Sequence, residues 1–189
     1  MRNNVKGKLI VLSAPSGTGK TSIVRALIER SDNLIVSIST TTREPRTGET
    51  EGKDYFFVNE NTFENSKSRG DFIECAEVYG NMYGTSADWI INKIKAGNNI
   101  LLEIDWQGAQ QIRKKFKNSK NLITIFLKPP SLKELHRRLK ERGQDSDETI
   151  NNRISSAASD IEHAGEFHHV IINKDFVETL DKIEKLIFD

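Results

Sequence analysis

One cysteine, four prolines, two methionines and two tryptophans in 189 residues leave several architectures without material. Cys75 has no partner for an intramolecular disulfide, which excludes a stapled secreted scaffold. Apolar runs such as 9–12 and 122–127 are strand-sized, far short of the ~20 residues a bilayer-spanning helix needs. Arg2, Lys6 and Lys8 ahead of an apolar stretch imitate a secretion signal, but that stretch is short and meets Pro15, so a buried strand is the better reading. No repeat, low-complexity tract or Pro/Gly/Ser linker interrupts the chain. These absences predict one soluble, cytoplasmic domain over 1–189, which can bury about 70% of its unfolded surface without staples.

Net charge is also nearly absent, at +1, but the signs are blocked along the chain. Residues 1–43 carry 7 basic and 2 acidic groups, and 44–105 carry 6 and 12. Residues 113–142 carry 11 and 2, and 145–189 carry 4 and 11. A basic block can follow a nucleic-acid backbone, grip a small polyphosphate, or simply be a solvated helix face.

Short β-branched runs at 8–13, 34–39, 54–58, 100–105, 122–127 and 170–173 predict strands. Helical patterns at 21–30 and 86–96, after the capping box Ser131-x-x-Glu134, and after Asp175-x-x-Glu178 separate them. That alternation predicts an α/β fold with a parallel central sheet covered on both faces. The Thr-, Gly- and Tyr-rich stretch from residue 37 breaks the rhythm and reads as an inserted mixed β lobe, bounded at 37–95 between core segments 1–36 and 96–189.

Between the first strand and first helix lie Ala14, Pro15, Ser16, Gly17, Thr18, Gly19, Lys20 and Thr21. A glycine-rich turn feeding a helix N-terminus points backbone N–H groups at phosphate oxygens. Lys20 then reaches the terminal phosphates, and the Thr21 hydroxyl takes a place on Mg²⁺. A guanine-reading Asn-Lys-x-Asp motif of GTPases is absent, and the chain has no room for a second helicase motor domain. A small phosphotransferase using a nucleoside triphosphate is the class that remains.

The lobe brings Ser39, Arg43, Arg46, Gly48, Gly52 and Tyr55 into one run. Two arginines and a tyrosine suit a phosphomonoester, because guanidinium forks meet phosphate oxygens bidentately. Further on, Glu74 stands among Phe72, Ile73, Cys75 and Ala76, where a carboxylate needs partners. Guanine offers adjacent N1–H and 2-amino donors that match it, whereas adenine presents an acceptor at N1.

Together with the Asn81-x-Tyr83-Gly84-Thr85 and Asp105-x-Gln107-Gly108 segments, this run resembles the guanylate kinase family over 13–173. The resemblance implies a phosphate-loop fold and transfer of the ATP γ-phosphoryl group to GMP. It implies that Arg43, Arg46, Tyr55 and Tyr83 hold the GMP phosphate, and that Ser39, Glu74, Thr85 and Asp105 face guanine or ribose. Arg138 and Arg142, one helical turn apart, and Arg153 on the next helix match lid arginines (lid 138–155) that close over the ATP phosphates. This gives the basic block a use other than nucleic acid, which is not an expected partner; nor is a membrane. Asn173 matches a loop near the adenine.

Glu103 and Asp105, read as ending the strand 100–105, point to one sheet face and can reach Mg²⁺ directly or through water. Capping a helix is the alternative for either, and the family often has Asp where Glu103 stands. A non-catalytic guanylate-kinase-like interaction module is the rival functional reading. Its members lack parts of the phosphate machinery that this chain retains.

Overall fold

The computed structural model describes residues 7–143 and 145–188. Arg2 and Lys6 of the leader-like start, and residue 144 inside the lid span, lie outside the described residues. The chain runs through β1 (Leu9–Ser13), α1 (Lys20–Glu29) and β2 (Leu34–Val36). It then builds a lobe from β3 (Thr40–Thr41), β4 (Phe56–Phe57), α2 (Glu60–Arg69), β5 (Phe72–Val78) and β6 (Asn81–Ser86). It returns through α3 (Ala87–Lys95), β7 (Asn99–Glu103), α4 (Trp106–Lys115) and β8 (Leu122–Lys128). It ends with α5 (Leu132–Arg142), α6 (Asp147–Glu162), a 3₁₀ turn (His163–Glu166), β9 (His169–Ile172) and α7 (Phe176–Phe188).

Five strands form the core sheet in the order β2-β7-β1-β8-β9, all parallel. Every residue of β1 is buried, and its alternating side chains feed two different cores. Leu9 and Val11 pack with Ile90 and Ile94 of α3 and Ala109 and Ile112 of α4. Ile10 and Leu12 pack with Ile23, Val24 and Leu27 of α1 and Leu180, Ile183 and Ile187 of α7. The predicted doubly covered parallel sheet is therefore present. The lobe is a separate four-stranded mixed sheet in the order β4-β3-β6-β5. Ile90 and Ile94 of α3 share one apolar cluster with Ile73 of β5 and with Ile100 and Leu102 of β7, so α3 joins the lobe to the core.

Three local readings change. The strand expected at 34–39 stops at Val36: Ser37 donates one more bond to Leu101 O (3.0 Å), then the chain crosses to the lobe sheet at β3. The strand expected at 100–105 stops at Glu103, and Asp105 instead caps α4, accepting from Gly108 N at 2.9 Å. Helices α2 and α4 are additional to the expected ones; α2 buries Phe63, and α4 buries Gly108, Ala109 and Ile112. The capping signals that were read do hold: Ser131 accepts from Glu134 N and Asp175 from Glu178 N.

Candidate active site

The phosphate loop leaves the buried end of β1 and turns into α1 at Gly19, whose φ of 100° only glycine adopts freely. Gly17 is constrained twice, by a φ of 86° and by α5: a Cβ there would stand 2.6 Å from Leu139 Cδ2. Leu139 belongs to a small cluster with Leu135, Ile150 and Ala157 that joins α5 to α6. The lid helices are thus seated directly on the loop. Ala14 and Ser16 are half-buried, while Pro15 and Thr18 are buried, and Thr18 N closes a turn on Pro15 O at 3.2 Å.

Lys20 is the first residue of α1, and its Nζ reaches across to Ile104 O at 3.4 Å. Beside it, the Thr21 hydroxyl donates to Glu103 Oε1 at 2.6 Å. The strand-end acid is therefore Glu103, and it meets the loop; Asp105 has both oxygens engaged by Gly108 N and Gln107 Nε2. A hydroxyl and a carboxylate form a hard-oxygen donor set that fits Mg²⁺.

Of the three arginines expected in a lid, Arg138 and Arg153 are anchored. Arg138 donates to Glu134 (2.9 Å) and to Asn173 O (3.1 Å). Arg153 reaches Ser16 Oγ of the loop at 3.3 Å and pairs with Asp145 at 2.9 Å. Arg142, one turn after Arg138, is exposed. Arg137 faces away, forked onto Glu134 and Glu141. Asn173 is buried, and its Nδ2 donates to Thr18 O at 2.8 Å. That bond braces the loop from the side of β9.

Across the cleft, Arg43 forks onto both Glu49 oxygens (2.8 and 3.0 Å) and lies 5.4 Å from the Tyr55 ring centroid. Tyr55 and Tyr83 meet edge-on at 5.9 Å. Burial first, then the charge of Glu103, pushes the Tyr55 phenol up to about 12, so it remains a neutral donor. The Tyr55 phenol is thus within electrostatic reach of Glu103 on the core. Arg46 contributes its backbone N–H to Glu49 at 2.8 Å; its side chain is exposed, and its charge helps hold the Glu49 carboxyl below the usual range.

Deeper in the lobe, Glu74 is only 3% exposed. The Thr85 hydroxyl donates to Glu74 Oε1 at 2.5 Å, and Ser39 Oγ lies 3.3 Å from Thr85 Oγ1. Desolvation raises the Glu74 carboxyl to about 7; Thr85 and Lys115 oppose the rise, and Asp105 adds to it. Ser39, Glu74, Thr85 and Asp105 are thus gathered into one patch.

The profile of the family described as Guanylate kinase matches residues 6–189. The chain belongs to the guanylate kinase family. Curated guanylate kinases resemble it along most of their length. That of Aromatoleum aromaticum is 48% identical over 181 residues, covering 96% of this chain and 87% of the relative. That of Rickettsia prowazekii is 43% identical over 187 residues, covering 99% and 93%. The crystal structure of guanylate kinase from Anaplasma phagocytophilum superposes with a TM-score of 0.81 at 37% identity, covering 97% of this chain and 85% of that one. This guanylate kinase fold carries carboxylates that the motif reading missed. Glu49, Glu134 and Asp145 each hold one of the site arginines. Glu134 was in view only as the end of a capping box; its i, i+4 spacing to Arg138 was a readable signal for the second role.

Proposed function

We propose that the chain transfers the γ-phosphoryl group of ATP to GMP, giving ADP and GDP, from a cleft between the phosphate loop and the β lobe. The observation that carries this reading is the facing pair of half-sites: Lys20, Thr21 and Glu103 on the core, and Arg43, Tyr55 and Tyr83 on the lobe, electrostatically coupled through Tyr55 and Glu103. A GMP phosphate oxygen attacks the γ-phosphorus in line; the bond to the β,γ-bridging oxygen breaks, and ADP leaves with its electrons. Arg43 and Tyr55 hold the attacking phosphate. Lys20 and the arginines of a lid at 138–155 balance charge spreading over the transferred group. Thr21 and Glu103 would hold Mg²⁺, which supplies charge neutralisation on the ATP phosphates. The core is 1–36 together with 96–189, with α3 packing on it; the lobe supplies the GMP site. Cytoplasmic localisation fits this nucleotide chemistry, and among the described residues no helix is long and apolar enough to cross a membrane.

A coupled assay of ADP release tests the reading. ADP should appear only with both ATP and GMP present; absence of GMP-dependent release would favour the non-catalytic interaction module, which the intact loop and arginine set argue against.

The lid arginines separate binding from chemistry. Substituting Arg142 with alanine disturbs no anchored contact, so it should lower kcat more than it raises either KM. A transition-state arginine is worth at most about 10³–10⁵ in kcat, and less where three share the charge. If Arg138→Ala, Arg142→Ala and Arg153→Ala all change KM alone, these arginines bind ground-state ATP only.

The metal site has its own check. Glu103→Ala should raise the Mg²⁺ concentration for half-maximal activity about 10–100-fold with the KM for GMP unchanged. An unaltered Mg²⁺ titration would remove Glu103 from the metal site and leave it as the partner of Thr21.

A further inference from the structure

The phosphoryl-transfer chemistry makes no use of Gln107, Gln111, Lys115 or Gly108, yet all four lie on α4 against the strand that carries Glu74. β5 is an edge strand, paired with β6 on one side and with no strand on the other. Its free edge would present unpaired backbone groups. α4 runs along it and takes the place of a strand. Gln107 Nε2 donates to Glu77 O (3.1 Å), Gln111 Nε2 to Cys75 O (2.6 Å) and Lys115 Nζ to Ile73 O (2.5 Å). Gln111 Oε1 also accepts from Cys75 N at 3.1 Å, so its amide both donates and accepts as a neighbouring strand would. The rungs step four residues along the helix, about 6 Å, and two along the strand, about 6.6 Å. The two spacings agree closely enough for the ladder to stay in register.

Gly108 lies on the same helical face, three residues before Gln111. A Cβ at this position would stand 2.4 Å from Glu74 Oε2. The other oxygen, Oε1, takes the Thr85 hydroxyl. The carboxylate is therefore held between the lobe strand β6 and a helix rooted in the core through Ala109 and Ile112.

We propose that α4 is a specificity element for the nucleotide base, with Gln111 as a positioning residue that fixes the register of β5, and Gly108 as the residue that leaves room for the Glu74 carboxylate. The inference rests on Glu74 being the group that selects guanine. Because β5 alternates its side chains, a one-residue slip along its edge would turn Glu74 away from the base, and a smaller shift would displace its carboxylate. The anchoring helix follows β7, which ends at Glu103, so α4 also sets the distance between the base-reading patch and the phosphate loop.

The test is kcat/KM for GMP and for AMP in the full-length protein and in Glu74→Gln, Gln111→Leu, Gly108→Ala and the double variant Glu74→Gln/Gln111→Leu. A misplacement near 1 Å costs about 10²-fold in a positioned reaction. Gln111→Leu and Gly108→Ala should each lower the GMP/AMP ratio by about 10–100-fold, through the KM for GMP, with the KM for ATP unchanged. In the Glu74→Gln background, Gln111→Leu should lower the ratio no further, because it acts through the carboxylate. Alanine is a better helix former than glycine, so Gly108→Ala keeps α4 intact and carries the test if Gln111→Leu fails to fold. An unchanged ratio in Gln111→Leu and Gly108→Ala, with a lowered one in Glu74→Gln, overturns the inference and leaves the role of Glu74 standing. Equal losses toward ATP and GMP, or additive effects in the double variant, also overturn it. An unchanged ratio in Glu74→Gln means that the underlying reading of Glu74 has failed.

Discussion

Lys20→Ala should reduce phosphoryl transfer by about 10²–10³-fold or more while GMP binds with nearly unaltered affinity. The lysine ammonium lies at the loop, where it can offset charge that grows on the transferred group, and its one hydrogen bond among the described residues is a long one to Ile104 O. A bond of that length is weak, so its loss should cost the folded protein little stability. Single-turnover kinetics with ATP, and calorimetric titration with GMP alone, separate the two sites. Near-normal turnover would remove the basis of the proposed chemistry. A parallel loss of GMP affinity would show that the lysine is not confined to the ATP side.

The second large effect belongs to Glu74. Each hydrogen bond to a charged group is worth about 1.5–3 kcal/mol, so two to guanine predict a GMP preference over AMP of about 10²–10⁴-fold in kcat/KM. In Glu74→Gln the Thr85 hydroxyl pins the amide oxygen at the Oε1 position, which leaves the NH₂ at the Oε2 position. That group offers a donor to the adenine N1 acceptor and opposes guanine N1–H, so GMP activity should fall and the gap to AMP narrow. An unchanged ratio would move the base-reading role to Ser39, Thr85 or Asp105.

The same carboxylate makes selectivity depend on pH. Burial holds its free-protein value at about 7, so it ionises as pH rises through neutrality, and the ionised form accepts from guanine. The GMP/AMP ratio of kcat/KM should therefore fall as pH drops from 8 to 6, since kcat/KM reports the free enzyme. The nucleotide phosphate also titrates near pH 6, but it is common to both substrates and cancels in the ratio. Glu74→Gln should show a flat ratio. For stability the sign reverses. A carboxyl raised from 4.5 to about 7 in the folded state favours folding while it is neutral. That contribution is present below pH 4.5 and lost as pH climbs through 7, amounting to about 3 kcal/mol. Glu74→Gln should accordingly raise Tm at pH 8 by more than at pH 5.

Much of the site could be read directly from the chain because its residues lie in short runs whose chemistry is local. Gly17, Gly19, Lys20 and Thr21 announce a phosphate loop by spacing alone, since a turn into a helix N-terminus needs those residue types in that order. Glu74 stood out as a carboxylate inside an apolar strand, and the structure finds it buried and bonded to Thr85. The capping residues Ser131 and Asp175 marked their helices for the same reason: a cap is a contact across three residues.

What the chain concealed depends on contacts between residues far apart in sequence. Asp105 looks like the end of a strand because its neighbours are apolar, but strand pairing stops at Glu103, where the partner β1 turns away into the phosphate loop, and the freed aspartate caps α4. Asn173 stands 155 positions after Thr18, and only the fold brings its amide to Thr18 O. The role of α4 is hidden in the sequence, because the partners of its polar face, Gln107, Gln111 and Lys115, are backbone groups of a strand edge some thirty to forty residues away. Local chemistry is written in neighbouring residues and survives without a fold. A backbone group satisfied by a side chain from another element has no counterpart until packing brings the two together, and the buried position of the Glu74 carboxylate beside α4 was set in that way.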